Sequence, residues 1–250
     1  MTKVLVTGMS GLIGGLLKEH LKGFGGYELS ALNRSKVEGV RNFCADISDF
    51  GAIKSAFVGQ DVAVHLAAYL GGDDWEGQLS SNIIGTYNVF EAARVAGVKR
   101  LVFASSGNVI CGYERVQPYS AIAKGNYESI AEDIPIITHE QIRPEGIYGV
   151  TKVFGEALGR YYSDAYGMSV LCVRLGSVQK DDRPHKTRER SIYLSHRDAV
   201  QILHQCIDAP LDLVYDVFLA TSKNKWGYRD LTHARDVLGY EPQDSADAFF

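Results

Sequence analysis

Tyr148 and Lys152 stand four residues apart in the run IYGVTK, where a helical apolar period begins. That spacing puts both side chains on one helix face, about one turn apart. An ammonium beside a phenol favours the phenolate and draws its pKa down from about 10, which makes Tyr148 a general base for a hydroxyl proton. Ser105 and Ser106 close the apolar run LVFASSG. A hydroxyl at that point, Ser106 in this reading, can hold a substrate oxygen while the tyrosine takes its proton; capping a turn is the plainer role for Ser106.

A second constellation precedes these in the chain. Gly8, Gly11 and Gly14 occur as TGMSGLIGG immediately after the apolar run VLV. Glycines there let the backbone turn tightly and approach a pyrophosphate, and the helix that follows offers free N–H groups and a positive dipole end. This is a dinucleotide-binding turn, and an ordinary tight turn is the competing reading. About twenty residues on, where a carboxylate usually holds the adenosine ribose hydroxyls, the chain carries Asn33, Arg34 and Ser35. A guanidinium with no carboxylate beside it accommodates a 2′-phosphate, so NADP is favoured over NAD, unless Arg34 simply points into water. Asp46, in CADIS, is placed to meet the adenine amino group, although a helix N-cap role for Asp46 or Ser48 is equally cheap.

These residues need a scaffold that brings them to one edge. Short β-branched runs at 3–7, 27–32, 40–45, 62–66, 100–105 and 169–175 alternate with helical periods at 12–23, 49–58, 79–96 and 148–166. That alternation predicts an α/β fold, a Rossmann-type doubly wound parallel sheet, over residues 1–175. Residues 176–250 follow a different rhythm, helical at 198–209, strand-like at 214–219 and helical again at 229–238, and are expected to form a small C-terminal substrate-binding cap. Between them the stretch 111–147 shows no period and is expected to be a long active-site loop.

Composition narrows the function classes. The chain has 250 residues, 46% hydrophobic and 22% charged, as an ordinary globular protein does. A net charge of −4 gives no attractive field for polyphosphate, so nucleic acid is a poor partner. The four cysteines, Cys44, Cys111, Cys172 and Cys206, form no CxxC pair and read as buried thiols; no metal set is expected. No apolar run is long enough for a bilayer, and the chain opens on a strand with no leader, so a cytoplasmic enzyme is expected.

The assembled motifs resemble the extended short-chain dehydrogenase/reductase family, also called the NAD-dependent epimerase/dehydratase family: TGMSGLIG, VHLAA at 64–68, NIIGTYNVFEAA at 82–93, FASSGNV, YGVTK and VRLGSV. The resemblance covers nearly the whole chain. Within that family SSNIIGTYNVFEAAR, YGVTKVFGEALGRYY, VRLGS and SHRD are most similar to uronate dehydrogenases, which oxidise the anomeric carbon of a hexuronic acid to a lactone. The resemblance implies Ser106, Tyr148 and Lys152 as the catalytic set. It lays Leu12, Ile13, Asp46, Ile47, Leu66, Ala67 and Ala68 along the cofactor, with Asn82 behind the lysine. It assigns Asn108, Ser177 and Arg188 to the substrate, Arg188 through its fork of donors to a carboxylate, although a solvated basic loop is the alternative for that arginine. It also implies a homodimer built on the helices at 79–96 and 148–166. Four departures stand out: Gly107-Asn108 replaces an Asn-His pair, the 111–147 loop is longer, Asn33-Arg34 replaces an acidic residue, and the chain ends early, at Phe250. A nucleotide-sugar epimerase or dehydratase would use the same catalytic set, and a non-catalytic NAD(P)-binding sensor would keep only the glycine turn.

Overall fold

The computed structural model describes residues 1–130 and 133–250; residues 131 and 132, inside the expected long loop, lie outside the described residues. In chain order the elements are β1 (Thr2–Thr7), α1 (Leu12–Phe24), β2 (Tyr27–Asn33), β3 (Arg41–Cys44), α2 (Phe50–Ile53), β4 (Val62–His65), α3 (Trp75–Gly77), α4 (Thr86–Val95) and β5 (Arg100–Ser106). They continue with α5 (Tyr119–Lys124), α6 (Gly146–Tyr166), β6 (Ser169–Leu175), α7 (Glu189–Ile192), α8 (His196–Asp208), β7 (Tyr215–Ala220) and α9 (Thr232–Leu238).

Among the described residues, seven strands lie in one sheet in the order β3-β2-β1-β4-β5-β6-β7, and every pairing is parallel. This is the doubly wound arrangement expected from the alternation of runs. The central strands β5 and β6 are buried almost end to end, because helices cover both sheet faces and leave no polar side to alternate with. On one face Leu17 and Leu21 of α1 pack with Ala199, Ile202 and Cys206 of α8. On the other, Ile53 of α2, Phe90 and Ala93 of α4 and Tyr162 of α6 pack on Leu5, Leu101 and Cys172. The first of these layers joins residues from both ends of the chain, and β7 extends the same sheet beyond β6.

Several expectations are corrected. The segment 111–147 holds a 3₁₀ turn at Cys111–Arg115, helix α5 and a second 3₁₀ turn at Tyr127–Ser129, and it builds a third core of Val109, Ile110, Tyr119, Ile122, Ile137, Leu219 and Tyr228. Pieces this short complete too few turns to leave a readable period. The helix expected at 79–96 is regular only from Thr86; Gln78–Gly85 is π-helical, a form that recurs at functional sites. The helix expected at 49–58 is α only at Phe50–Ile53 and then tightens to 3₁₀. Cys111, Cys172 and Cys206 are buried as expected, but Cys44 is exposed, because its run is the edge strand β3 rather than an interior one.

Candidate active site

At the carboxyl edge of the sheet a cleft of about 550 Å³ runs from the β1–α1 turn to the start of α6. One end is built by Gly8, Ser10, Gly11, Leu12, Ile13 and Gly14. Gly8 has φ +72°, and a Cβ on Gly14 would lie 2.4 Å from the Gly8 carbonyl oxygen, so the turn tolerates neither side chain. Gly11 precedes α1 without a side-chain cap, and the first turn holds no acidic residue, which leaves its N–H groups free to hold an anion. The Thr7 hydroxyl accepts from Ala67 N at 3.2 Å and meets His65 Nδ1 at 2.7 Å, tying the glycine turn to the end of β4. Burial and the neighbouring Lys152 push His65 down to about 3, so that ring is neutral.

Asn33, Arg34, Ser35, Asp46, Ile47, Leu66, Ala67 and Ala68 line the same cleft. The Asn33 amide oxygen accepts from Ser10 N at 3.3 Å, whereas its Nδ2 is buried without a partner. Asp46 accepts from both Ser48 N (2.9 Å) and Ser48 Oγ (2.8 Å); these bonds hold its carboxyl below the usual range, with Arg34 adding to the effect. The side chain that caps α2 is Asp49, on Ala52 N. A close-approach turn, uncapped helix N–H groups and an orphaned amide donor fit a dinucleotide laid across this edge.

The other end of the cleft carries Ala104, Ser105, Ser106, Tyr148 and Lys152. Ser106 ends β5 and its Oγ accepts from Asn108 N at 3.1 Å, so it caps a 3₁₀ turn and also faces the cleft. Helix α6 comes against that turn at Gly149, where a Cβ would lie 2.6 Å from the Asn108 carbonyl oxygen. This contact brings Tyr148 beside Ser106. Lys152 Nζ donates to the Ala104 carbonyl at 2.8 Å and lies 5.4 Å from the Tyr148 ring centroid. The expected lowering of the phenol by the ammonium is not met. Burial pushes Tyr148 up to about 12, against the opposing effect of its Ser106 hydrogen bond, and burial also draws Lys152 down to about 8.

Ser105, one residue back on β5, points to the opposite face and donates to Glu156 Oε1 at 2.5 Å. Glu156 takes two further bonds from Arg174, both at 2.8 Å, and Arg174 Nη1 reaches the Gln141 carbonyl at 2.9 Å. Sequence reasoning missed this buried network. Its signal was a glutamate one turn beyond Lys152 on the helix face that meets the sheet. Ser81, Leu70, Gly176 and Val178 also line the cleft unforeseen.

Four expected residues stand elsewhere. Asn82 is buried in the π-helical stretch and clamps Tyr69, accepting from its N–H and donating to its carbonyl at 2.8 and 2.9 Å. Ser177 accepts from Gln179 Nε2 at 3.0 Å. Asn108 and Arg188 line a separate cavity of about 340 Å³ with Cys111, Glu114, Arg115 and Glu145. In it Arg188 Nε donates to Glu114 at 2.5 Å and its Nη2 faces Cys111 Sγ at 2.9 Å. Tyr228 fixes the same glutamate from behind, its hydroxyl donating to Glu114 Oε1 at 2.7 Å.

Sheet order, glycine turn and the Ser-Tyr-Lys wall together define a nicotinamide-dependent oxidoreductase of the extended short-chain type. The chain belongs to the NAD dependent epimerase/dehydratase family, whose model matches residues 4–238. It is 33% identical over 257 residues to an L-arabinose 1-dehydrogenase (NAD(P)(+)) of Haloferax volcanii, covering 98% of each chain. It is 34% identical over 252 residues to a uronate dehydrogenase of Agrobacterium fabrum, covering 100% of this chain and 87% of that one. The crystal structure of uronate dehydrogenase from Agrobacterium tumefaciens superposes with a TM-score of 0.84 at 33% identity, over 100% of this chain and 87% of the other. The resemblance read from the motifs is borne out.

Proposed function

We propose that this chain oxidises the anomeric hydroxyl of a sugar or sugar acid, with Ser106, Tyr148 and Lys152 as its reacting set. The observation that carries the reading is that these three line the same cleft as the glycine turn and meet at its far end. Ser106 Oγ holds the C1 oxygen and Tyr148 accepts the C1 hydroxyl proton, so the oxygen becomes a carbonyl as the C1 hydrogen leaves with its electron pair. Lys152, fixed on the Ala104 carbonyl beneath the phenol, places positive charge where the phenolate forms. NAD(P), when bound along Gly8, Gly11, Gly14 and Asp46, supplies the hydride acceptor. On a hexuronic acid the product is a lactone.

Exposed Arg34 beside Ser35, the unpartnered Asn33 amide and the absence of a carboxylate at the end of β2 support NADP over NAD. The four free thiols suit a reducing, cytoplasmic setting. The outward faces of α4 and α6 are taken as a homodimer contact.

One observation favours a second reading of the substrate, a neutral aldose. Arg188, the arginine expected to meet a carboxylate, is already neutralised by Glu114. A uronate whose carboxylate reached that separate cavity would have to displace the ion pair, whereas a neutral sugar extending there would find hydroxyl-binding groups on both partners. Mixing the purified protein with NAD or NADP and, separately, L-arabinose, glucose, glucuronate and galacturonate, while following absorbance of the reduced nicotinamide, tests both. We expect reduction with at least one sugar, faster with NADP, and a loss of about 10²–10⁴-fold in Tyr148→Phe at unchanged cofactor affinity. Binding of the dinucleotide without turnover on any of the four sugars would overturn the dehydrogenase reading.

A further inference from the structure

Away from the cleft, at the β7 edge of the sheet, His139, Asp216 and His233 bring one donor atom each to within 4.8 Å of one another. They come from three elements: His139 from the strap that runs from Ile137 to α6, Asp216 from β7 and His233 from α9. The His139 and His233 rings lie 4.0 Å apart at 19°, and Phe218 backs His233 at 5.4 Å, so the rings are held face to face. Asp216 Oδ1 lies 2.8 Å from His233 Nε2 and also accepts from Val217 N at 2.7 Å, which fixes the carboxylate. His139 Nδ1 is buried with no hydrogen-bond partner. A buried lone pair or N–H left unmade is costly, and stacking does not satisfy it.

We propose that His139, Asp216 and His233 form a divalent transition-metal site, with zinc as the first choice. Two neutral imidazoles and one carboxylate are a borderline nitrogen–oxygen donor set that selects zinc and its neighbours over calcium or magnesium. Bonds of about 2.0–2.1 Å give a tetrahedron with edges of roughly 3.4 Å, so the two rings must turn out of their present stack to aim both lone pairs at one ion, and water completes the fourth position. The Val217 N–H orients the carboxylate as an outer partner orients a metal ligand.

The strap is already hydrogen-bonded to the segment that leads into α9, Ile137 N donating to the Tyr228 carbonyl and Asp230 N to the Ile137 carbonyl. It also receives Arg174 on the Gln141 carbonyl. A metal ion at the three donors therefore staples strap, edge strand and α9, and it acts on stability rather than on the chemistry in the cleft.

The test uses the whole chain, dialysed against a chelator and then titrated with zinc by calorimetry and with cobalt(II) by visible absorption. The expected result is one ion per chain in the micromolar range, a rise in Tm on zinc addition, and the intense ligand-field bands of four-coordinate cobalt. His139→Asn and Asp216→Asn are expected to weaken binding by about tenfold or more. Sugar oxidation by zinc-free and zinc-loaded protein should match. The weak bands of six-coordinate, hydrated cobalt on the unaltered chain would overturn the proposal without any variant having to fold. Unchanged affinity in a folded His139→Asn would overturn it equally, by placing the ion on another histidine.

Discussion

Lys152 is a cation buried under the cleft, its Nζ on the Ala104 carbonyl and 4.9 Å from the Phe103 ring centroid. Burial sets its folded pKa at about 8, below the value of about 10.4 that an unfolded lysine has. Below pH 8 both states carry the proton and the folded state bears the whole desolvation cost. As pH rises from 8 towards 10.4 the folded chain sheds the proton first and that cost fades. Lys152→Met is therefore expected to abolish turnover yet stabilise the fold at pH 7, by on the order of 3 kcal/mol, with the gain shrinking above pH 8. Denaturant midpoints of both proteins across that range check it, and a gain that does not change with pH would exclude burial of the charge as the cause. A second residue-scale outcome concerns Glu114. Glu114→Gln releases Arg188 to a substrate carboxylate, a charge-assisted contact of about 1.5–3 kcal/mol, so the ratio of kcat/KM for glucuronate to that for L-arabinose should rise roughly tenfold or more. A ratio that stays level would show that Arg188 does not face the substrate. The Tyr148 and Lys152 pair was legible because its chemistry rests on a spacing within one helix. The Glu114–Arg188 pair was not, since its partners lie 74 residues apart and nothing local in either run announces the other.

At the scale of elements, the position of α6 against β5 and β6 is fixed by the Ser105–Glu156–Arg174 network. Glu156 and Arg174 are almost wholly buried, 4% and 1% exposed, so each charge depends on the other. Glu156→Gln keeps the shape but leaves the guanidinium uncompensated, and a loss of about 3–5 kcal/mol is expected from chemical denaturation. A loss under about 1 kcal/mol would put this pair in the class of surface ion pairs, where it has no part in aligning α6. The strands carrying the site were readable because parallel strands covered on both faces appear as unbroken apolar runs. The π-helical turn at Gln78–Gly85 was not, because it widens the helix without interrupting the apolar run. Helix α5 hid for a related reason: six residues complete fewer than two turns, too few for a face to show.

The whole molecule leaves one lateral face unexplained by its own packing. Helices α4 and α6 lie side by side, joined by the Tyr162 hydroxyl on Glu91 at 2.9 Å, and their outer residues are large and bare: Tyr87 is 48% exposed, Val95 63%, Val150 49% and Tyr161 55%. Apolar groups gathered on one face mark an association surface, and a two-fold axis through a helix pair makes a four-helix contact with its own copy. The sequence showed these helices but not which side chains stay outside, which only the packing of their inner faces decides. The proposed reacting residues Tyr148 and Lys152 sit at the first turns of α6, whereas Tyr161 is near its end, so the proposed contact can be tested without touching the site. Tyr161→Glu would put a charge into the proposed contact, where desolvation opposes it on both copies at once. The unaltered chain is expected to run as a dimer in light scattering at micromolar concentration and the variant as a monomer. The variant should also lose the dependence of Tm on protein concentration that a dimer shows, while keeping its turnover per chain. A variant that scatters as a dimer would move the contact to another face, and a monomeric chain before any substitution would remove it altogether.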